Sequence, residues 1–109
     1  GMVAEDSVAR VCEARGQRVL SRRWRGKGGE IDLITRDKGE IVFIEVKQSS
    51  TFARASQRLG ARQIARLQSA AEEYIGKEPT GLLTAMRIDV ALVDGQGRVE
   101  FVENAVGGL

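Results

Sequence analysis

The chain has no histidine, one cysteine (Cys12), one proline (Pro79) and five aromatic residues among 109. Without histidine there can be no Ser-His or Cys-His catalysis, no histidine metal ligand and no nuclease mechanism with a histidine base. A lone cysteine with no histidine also leaves too few ligands for a zinc site. Cys12 cannot close an internal disulfide, and on an apolar helix stripe it reads as a small buried hydrophobe. No apolar run approaches the roughly 20 residues that cross a bilayer, and no charged-then-apolar leader is present, so cytoplasmic residence without a membrane partner is expected. Gly1 ahead of Met2 reads as a cloning remnant. Any catalysis must therefore rest on carboxylates, lysine, hydroxyls and a hard, oxygen-liking cation.

What is present fits one domain spanning residues 1–109, with 42% apolar and 29% charged residues. The formal net charge is only +2, and its distribution says more than its total. Arg15, Arg18, Arg22, Arg23, Arg25 and Lys27 follow one another without an acid, as do Arg54, Arg58, Arg62 and Arg66. After Arg87 the balance turns acidic, with Asp89, Asp94, Glu100 and Glu103 against Arg98. A basic side and an acidic side are expected.

Helical spacing of Val8, Ala9, Val11 and Cys12 predicts a first helix from Val3 to about Arg15, ended by Gly16. Glu5 falls on or beside its buried stripe, where an acid in the first turn is favoured by the helix dipole. Gln17 to Trp24 reads as a strand. Gly26-Lys27-Gly28-Gly29 then forms a turn in which backbone can pass close to a neighbour or cradle a phosphate. It is not a Walker-type loop, because no serine or threonine follows the lysine and a strand comes next.

Two β-branched runs, Gly29-Glu30-Ile31-Asp32-Leu33-Ile34 and Ile41-Val42-Phe43-Ile44-Glu45-Val46-Lys47, flank Asp37-Lys38-Gly39-Glu40 and predict a hairpin. Strand alternation puts Ile41, Phe43, Glu45 and Lys47 on one face and Val42, Ile44 and Val46 on the other. The same parity groups Glu30, Asp32 and Ile34 against Ile31 and Leu33. If the two faces coincide, Asp32 and Glu45 lie close enough to hold a cation. An internal ion pair with Lys47 is the other reading, but it leaves two like charges together.

From Ala53 to Gly76 the apolar spacing predicts a long helix, with Gly60 as a place where it could break into a short helix and loop. In a continuous helix, Arg54, Arg58, Arg62 and Arg66 form a basic ridge, either solvated or gripping phosphates. Leu83 to Val93 and Arg98 to Val102 read as two further strands joined at Asp94-Gly95-Gln96-Gly97.

Asp32 followed by Glu45-Val46-Lys47 on consecutive strands resembles the Asp, spacer, (Asp or Glu)-x-Lys signature of restriction-endonuclease-like nucleases. With Ala4-Glu5 and Ala9, Gly29 to Ile34, Ala70-Ala71, Arg87-Ile88-Asp89-Val90 and Glu103-Asn104-Ala105 in that order, the whole chain is similar to the YraN-like family of small bacterial predicted endonucleases. That family is related in fold to archaeal Holliday-junction resolvases. The resemblance implies an α/β fold, namely three α/β/α layers around a central mixed sheet of about five strands. It also implies a Mg²⁺- or Mn²⁺-dependent endonuclease acting on DNA, including branched or junction DNA. Asp32, Glu45 and the Val46 carbonyl would hold the metal, Lys47 would activate or position water, and Glu5 would hold a second metal or a metal-bound water. Arg22, Arg23, Arg25, Lys27, Arg54, Arg58, Arg62 and Arg66 would bind nucleic acid. A homodimer is compatible, since cutting both strands of a symmetric junction takes two sites. Two positions depart from the family pattern: Ser49 stands where arginine is common, and Gln63 where lysine is usual, beside Arg62. The competing readings are a nucleic-acid-binding module that keeps the nuclease fold without cutting, and an α/β domain acting through protein contacts. Arg87 and Asp89 match the family and read either as a structural pair or as catalytic.

Overall fold

The computed structural model describes residues 2–106; Gly1 and residues 107–109 lie outside them. In chain order the elements are α1 (Met2–Ala14), β1 (Arg18–Arg25), β2 (Glu30–Asp37), β3 (Glu40–Gln48), α2 (Phe52–Ser56), α3 (Ala61–Ile75), a 3₁₀ turn (Gly81–Leu83), β4 (Met86–Val93) and β5 (Val99–Val102). The strands form one sheet in the order β1-β2-β3-β4-β5. Only β3 and β4 run parallel; the other neighbours are antiparallel. With α1 on one face and α2 and α3 on the other, the architecture is the expected three-layer α/β/α fold around a mixed sheet.

Residue chemistry explains the layers. On α1 the buried stripe is Ala4, Glu5, Val8, Ala9 and Cys12, small enough to lie close over Leu33, Val42, Ile44, Ala91 and Val93. Gly16, with φ +86°, ends the helix: its N–H donates to the Glu13 carbonyl, and the Gln17 N–H donates to that of Cys12. The β2–β3 turn is Lys38-Gly39, both at positive φ, the two-residue hairpin geometry that suits strand twist. Ile41 to Glu45 is buried throughout, as a central strand covered on both faces must be.

The second face is closed by α3, through Leu67, Ala70, Ala71 and Ile75, over Ile34, Ile41, Phe43 and Ile88. Tyr74 meets Trp24 and Phe43 edge-on, at 5.5 and 5.7 Å between ring centres. Burial of Phe43 contributes on the order of 2–3 kcal/mol, and Phe43→Ala removes that and leaves a cavity. Beside this cluster α2 covers Val90 and Leu92 with Ala55.

Three expectations need correction. Residues 53–76 are not one helix: α2 stops at Ser56 and α3 starts at Ala61, because Gly60 is extended at φ −111°, ψ 165° and supplies no capping side chain. The strand expected from Leu83 starts at Met86, because Gly81–Leu83 is a 3₁₀ turn that leaves Leu82 and Leu83 exposed. Strict alternation also fails on β2, where Ile31 joins the α3-side cluster and Leu33 the α1-side cluster. On β3 the alternation holds, with Ile41 and Phe43 toward α3 and Val42 and Ile44 toward α1. Among the described residues, no helix is long and apolar enough to cross a membrane.

Candidate active site

The β2–β3 ladder runs from Asp37↔Glu40 to Leu33↔Ile44 and stops there. Asp32 and Glu45 are the next residues along, where the strands part. The Val46 N–H donates to the Asp32 Oδ2 at 2.8 Å, so a side chain satisfies a backbone donor that the ladder no longer uses. Glu45 follows Ile41 and Phe43 onto the α3 face and is only 5% exposed. Its Oε2 accepts from the Gln63 side-chain amide on α3 and lies 3.4 Å from the Lys47 Nζ. Gly29, Glu30, Asp32, Glu45, Gln63, Arg66 and Leu67 line a cavity of about 280 Å³ over this cluster.

Burial, reinforced by the charge of Asp32 and a hydrogen bond with it, raises the Glu45 pKa to about 8; Lys47 opposes the shift without cancelling it. At neutral pH the carboxyl therefore keeps a proton, in the place where a cation would balance the pair. Two carboxylates with water and phosphate oxygens suit Mg²⁺, which is commonly held by one or two protein carboxylates and retains several waters. Among the described residues there is no group of three or more His, Cys, Asp or Glu side chains able to hold a metal ion. The two carboxylates would suit a hard cation that keeps most of its shell as water; at Val46 it is the N–H, donating to Asp32, that faces the pair.

The other expected residues are distributed more widely. Glu5, buried on α1, accepts a hydrogen bond from the Arg23 Nε at 2.8 Å and has no hydrogen bond or ion pair to Asp32 or Glu45. Arg22 pairs with Asp6, and Arg25 pairs with Glu30 at 3.0 Å. Three arginines of the expected anion-binding set thus have protein carboxylates as partners. Lys27, Arg54, Arg58, Arg62 and Arg66 form no ion pair among the described residues. Arg58 donates to the Gln48 carbonyl at 2.8 Å and Arg54 to the Ser50 hydroxyl at 3.4 Å. The break before α3 prevents these arginines from forming one ridge. Arg66 lines the cavity, beside the glycine turn.

That turn makes the close approach its composition suggested. A Cβ on Gly26 would sit 2.5 Å from the Trp24 ring and 2.6 Å from the Glu73 Oε1, and one on Gly28 would sit 2.9 Å from the Ser69 Oγ. The Lys27 N–H donates to the same Glu73 oxygen at 2.9 Å, tying the turn to α3. Gln63 was missed as a site residue. Its signal was a polar side chain on the buried stripe it shares with Leu67, Ala70 and Tyr74.

The sequence profile described as Uncharacterised protein family UPF0102 matches residues 4–93. The chain belongs to the UPF0102 family. That match contains Glu5, Asp32, Glu45 and Lys47 and is consistent with the YraN-like resemblance. UPF0102 protein SPO0400 of Ruegeria pomeroyi is 61% identical over 107 residues, covering 98% of this chain and 87% of that protein. UPF0102 protein Rsph17025_0472 of Cereibacter sphaeroides is 56% identical, covering 96% and 90% respectively. A UPF0102 protein of Dinoroseobacter shibae is 42% identical, covering 95% and 78%.

This UPF0102 chain has a second charged cluster, on the α1 side of β4. The Arg87 guanidinium contacts Asp89 at 3.1 Å, Glu40 at 3.0 Å and Asp37 at 3.5 Å. Asp89 also accepts the Asn104 N–H at 2.9 Å. Burial raises the Asp89 pKa, opposed by that N–H and by Arg87. The arrangement is a structural ion-pair network that fastens the segment after β5 to the sheet. Cys12 is fully buried and its thiol pKa is pushed up to about 11, mainly by burial, as expected of an inert core cysteine.

Proposed function

We propose that this UPF0102 protein is a Mg²⁺-dependent phosphodiesterase that cuts DNA, including branched DNA. The observation that carries this reading is the meeting of Asp32 and Glu45 in one cavity, with the Lys47 Nζ 3.4 Å from the Glu45 carboxyl. Asp32 and Glu45 would hold the metal. When bound, the cation supplies Lewis-acid chemistry, polarising a phosphoryl oxygen and making bound water acidic enough to act as a nucleophile. Lys47, through its Nζ, orients the attacking water and offsets the negative charge that builds on the phosphoryl oxygens. Gln63 fixes the Glu45 carboxyl by donating to its Oε2. Arg66 at the cavity and Lys27 in the neighbouring turn offer positive charge to the flanking phosphates.

Linear and branched DNA incubated with the purified protein and Mg²⁺ or Mn²⁺ tests the reading. Wild type is expected to cleave, and Lys47→Ala to lower the rate about 100-fold or more. Cleavage unchanged by Lys47→Ala overturns the catalytic assignment. Binding that weakens steeply with salt, with no cleavage of any substrate, replaces it with a nucleic-acid-binding module that keeps the fold.

A further inference from the structure

Arg23 lies inside β1 but has φ +51°, a left-handed conformation rare for residues with a side chain. Of the other non-glycine residues with positive φ, Lys38 belongs to the hairpin turn, and Asn104 is a residue type that tolerates this region. Arg23 has neither reason. The flanking pairs Arg22↔Leu33 and Trp24↔Ile31 place it opposite Asp32 in the β1–β2 ladder. Alternation would send Arg22 and Arg23 to opposite faces, yet both reach acids on α1: Arg22 meets Asp6, and the Arg23 Nε meets Glu5 at 2.8 Å. The irregular backbone thus brings a permanently charged guanidinium to an otherwise buried carboxylate beside the metal-binding strand. The Glu5 hydrogen bond and charge raise the Arg23 pKa, and the charges of Glu30 and Asp32 add to the effect.

We propose that Arg23 takes the place of a second cation between Glu5 and Asp32, so that the site binds a single divalent ion and Glu5 is not one of its ligands. The inference rests on the metal reading of Asp32 and Glu45. A fixed guanidinium neutralises Glu5 and repels a divalent ion from the same position. Glu5 then serves to hold Arg23 in place.

Mn²⁺ binding, counted by electron paramagnetic resonance and calorimetry on the full chain, tests this without reference to cleavage. Wild type is expected to bind one Mn²⁺. Arg23→Gln keeps a hydrogen-bond donor for Glu5 but removes the charge, and should gain a second, weaker ion that is lost again in Arg23→Gln/Glu5→Gln. Arg23→Lys should retain one. Glu5→Gln alone should leave the wild-type affinity within about twofold, whereas a loss of about tenfold or more, as expected for a ligand or its support, overturns the inference. Two ions in wild type, or only one in folded Arg23→Gln, also overturn it while leaving the metal reading intact. No binding by any variant overturns both. If Arg23→Gln fails to fold, the wild-type count and the Glu5→Gln affinity still decide.

Discussion

Asp89 and Glu45 are carboxylates at the buried centre of the sheet, 2% and 5% exposed, on neighbouring parallel strands and opposite faces. Asp89 receives the Arg87 guanidinium and the Asn104 N–H, and Arg87 in turn also reaches Glu40 and Asp37. Glu45 shares its surroundings with a second carboxylate and has one lysine, 3.4 Å away. Both pKa values are raised by burial, but at Glu45 the neighbouring Asp32 adds to the shift, whereas hydrogen bonds and Arg87 oppose it at Asp89. A matched cluster of this kind holds segments together. A cluster with a second carboxylate and a single lysine, opening on a cavity, is the one that would suit the cation proposed above.

Removing a partner should separate the two most sharply. Arg87→Met leaves Asp89 buried without its cation, and a loss of about 3–5 kcal/mol in urea unfolding is expected. A change under about 1 kcal/mol would mean the cluster is not a structural clamp. The opposite sign is expected at Glu45. Its folded pKa of about 8 lies above the ordinary value of 4.5, so between these values the folded state binds more protons than the unfolded state. The stability conferred by that proton is fully present below about pH 4.5 and is lost as pH rises through about 8. Glu45→Gln should therefore be more stable than wild type at pH 9, on the order of 2 kcal/mol without metal, with the gap closing toward pH 5. Thermal melts across that range check it; a pH-independent difference would mean that Glu45 is as well matched as Asp89. The smallest effect is expected at the rim. Arg25 pairs with Glu30 through an 81% exposed side chain, so Arg25→Ala should shift Tm by less than about 3 °C. A larger shift would extend the balanced region to the mouth of the cavity.

Much of this molecule follows from local rules. Period-2 alternation placed Glu45 and Lys47 with Ile41 and Phe43, and the glycine turn and the stripe of the first helix stand close to where their spacing puts them. The site was legible as far as strand parity reaches. Parity failed at Ile31, where β2 changes the face it presents as its ladder with β3 ends. The break at Gly60 was legible only as an alternative, since glycine weakens a helix without forbidding it.

By itself the sequence determined the buried β3 and the β2–β3 hairpin, because hydrophobic periodicity and turn chemistry act over a few residues; the layers and the family followed from the resemblance its motifs carry. Only the tertiary structure decided which charges are answered. Arg22, Arg23 and Arg25 stand in a run without acids, yet each meets a carboxylate from α1 or β2; Gln63 reaches Glu45 across 18 positions of chain. Electrostatic balance depends on distance and burial, which chain spacing alone does not specify.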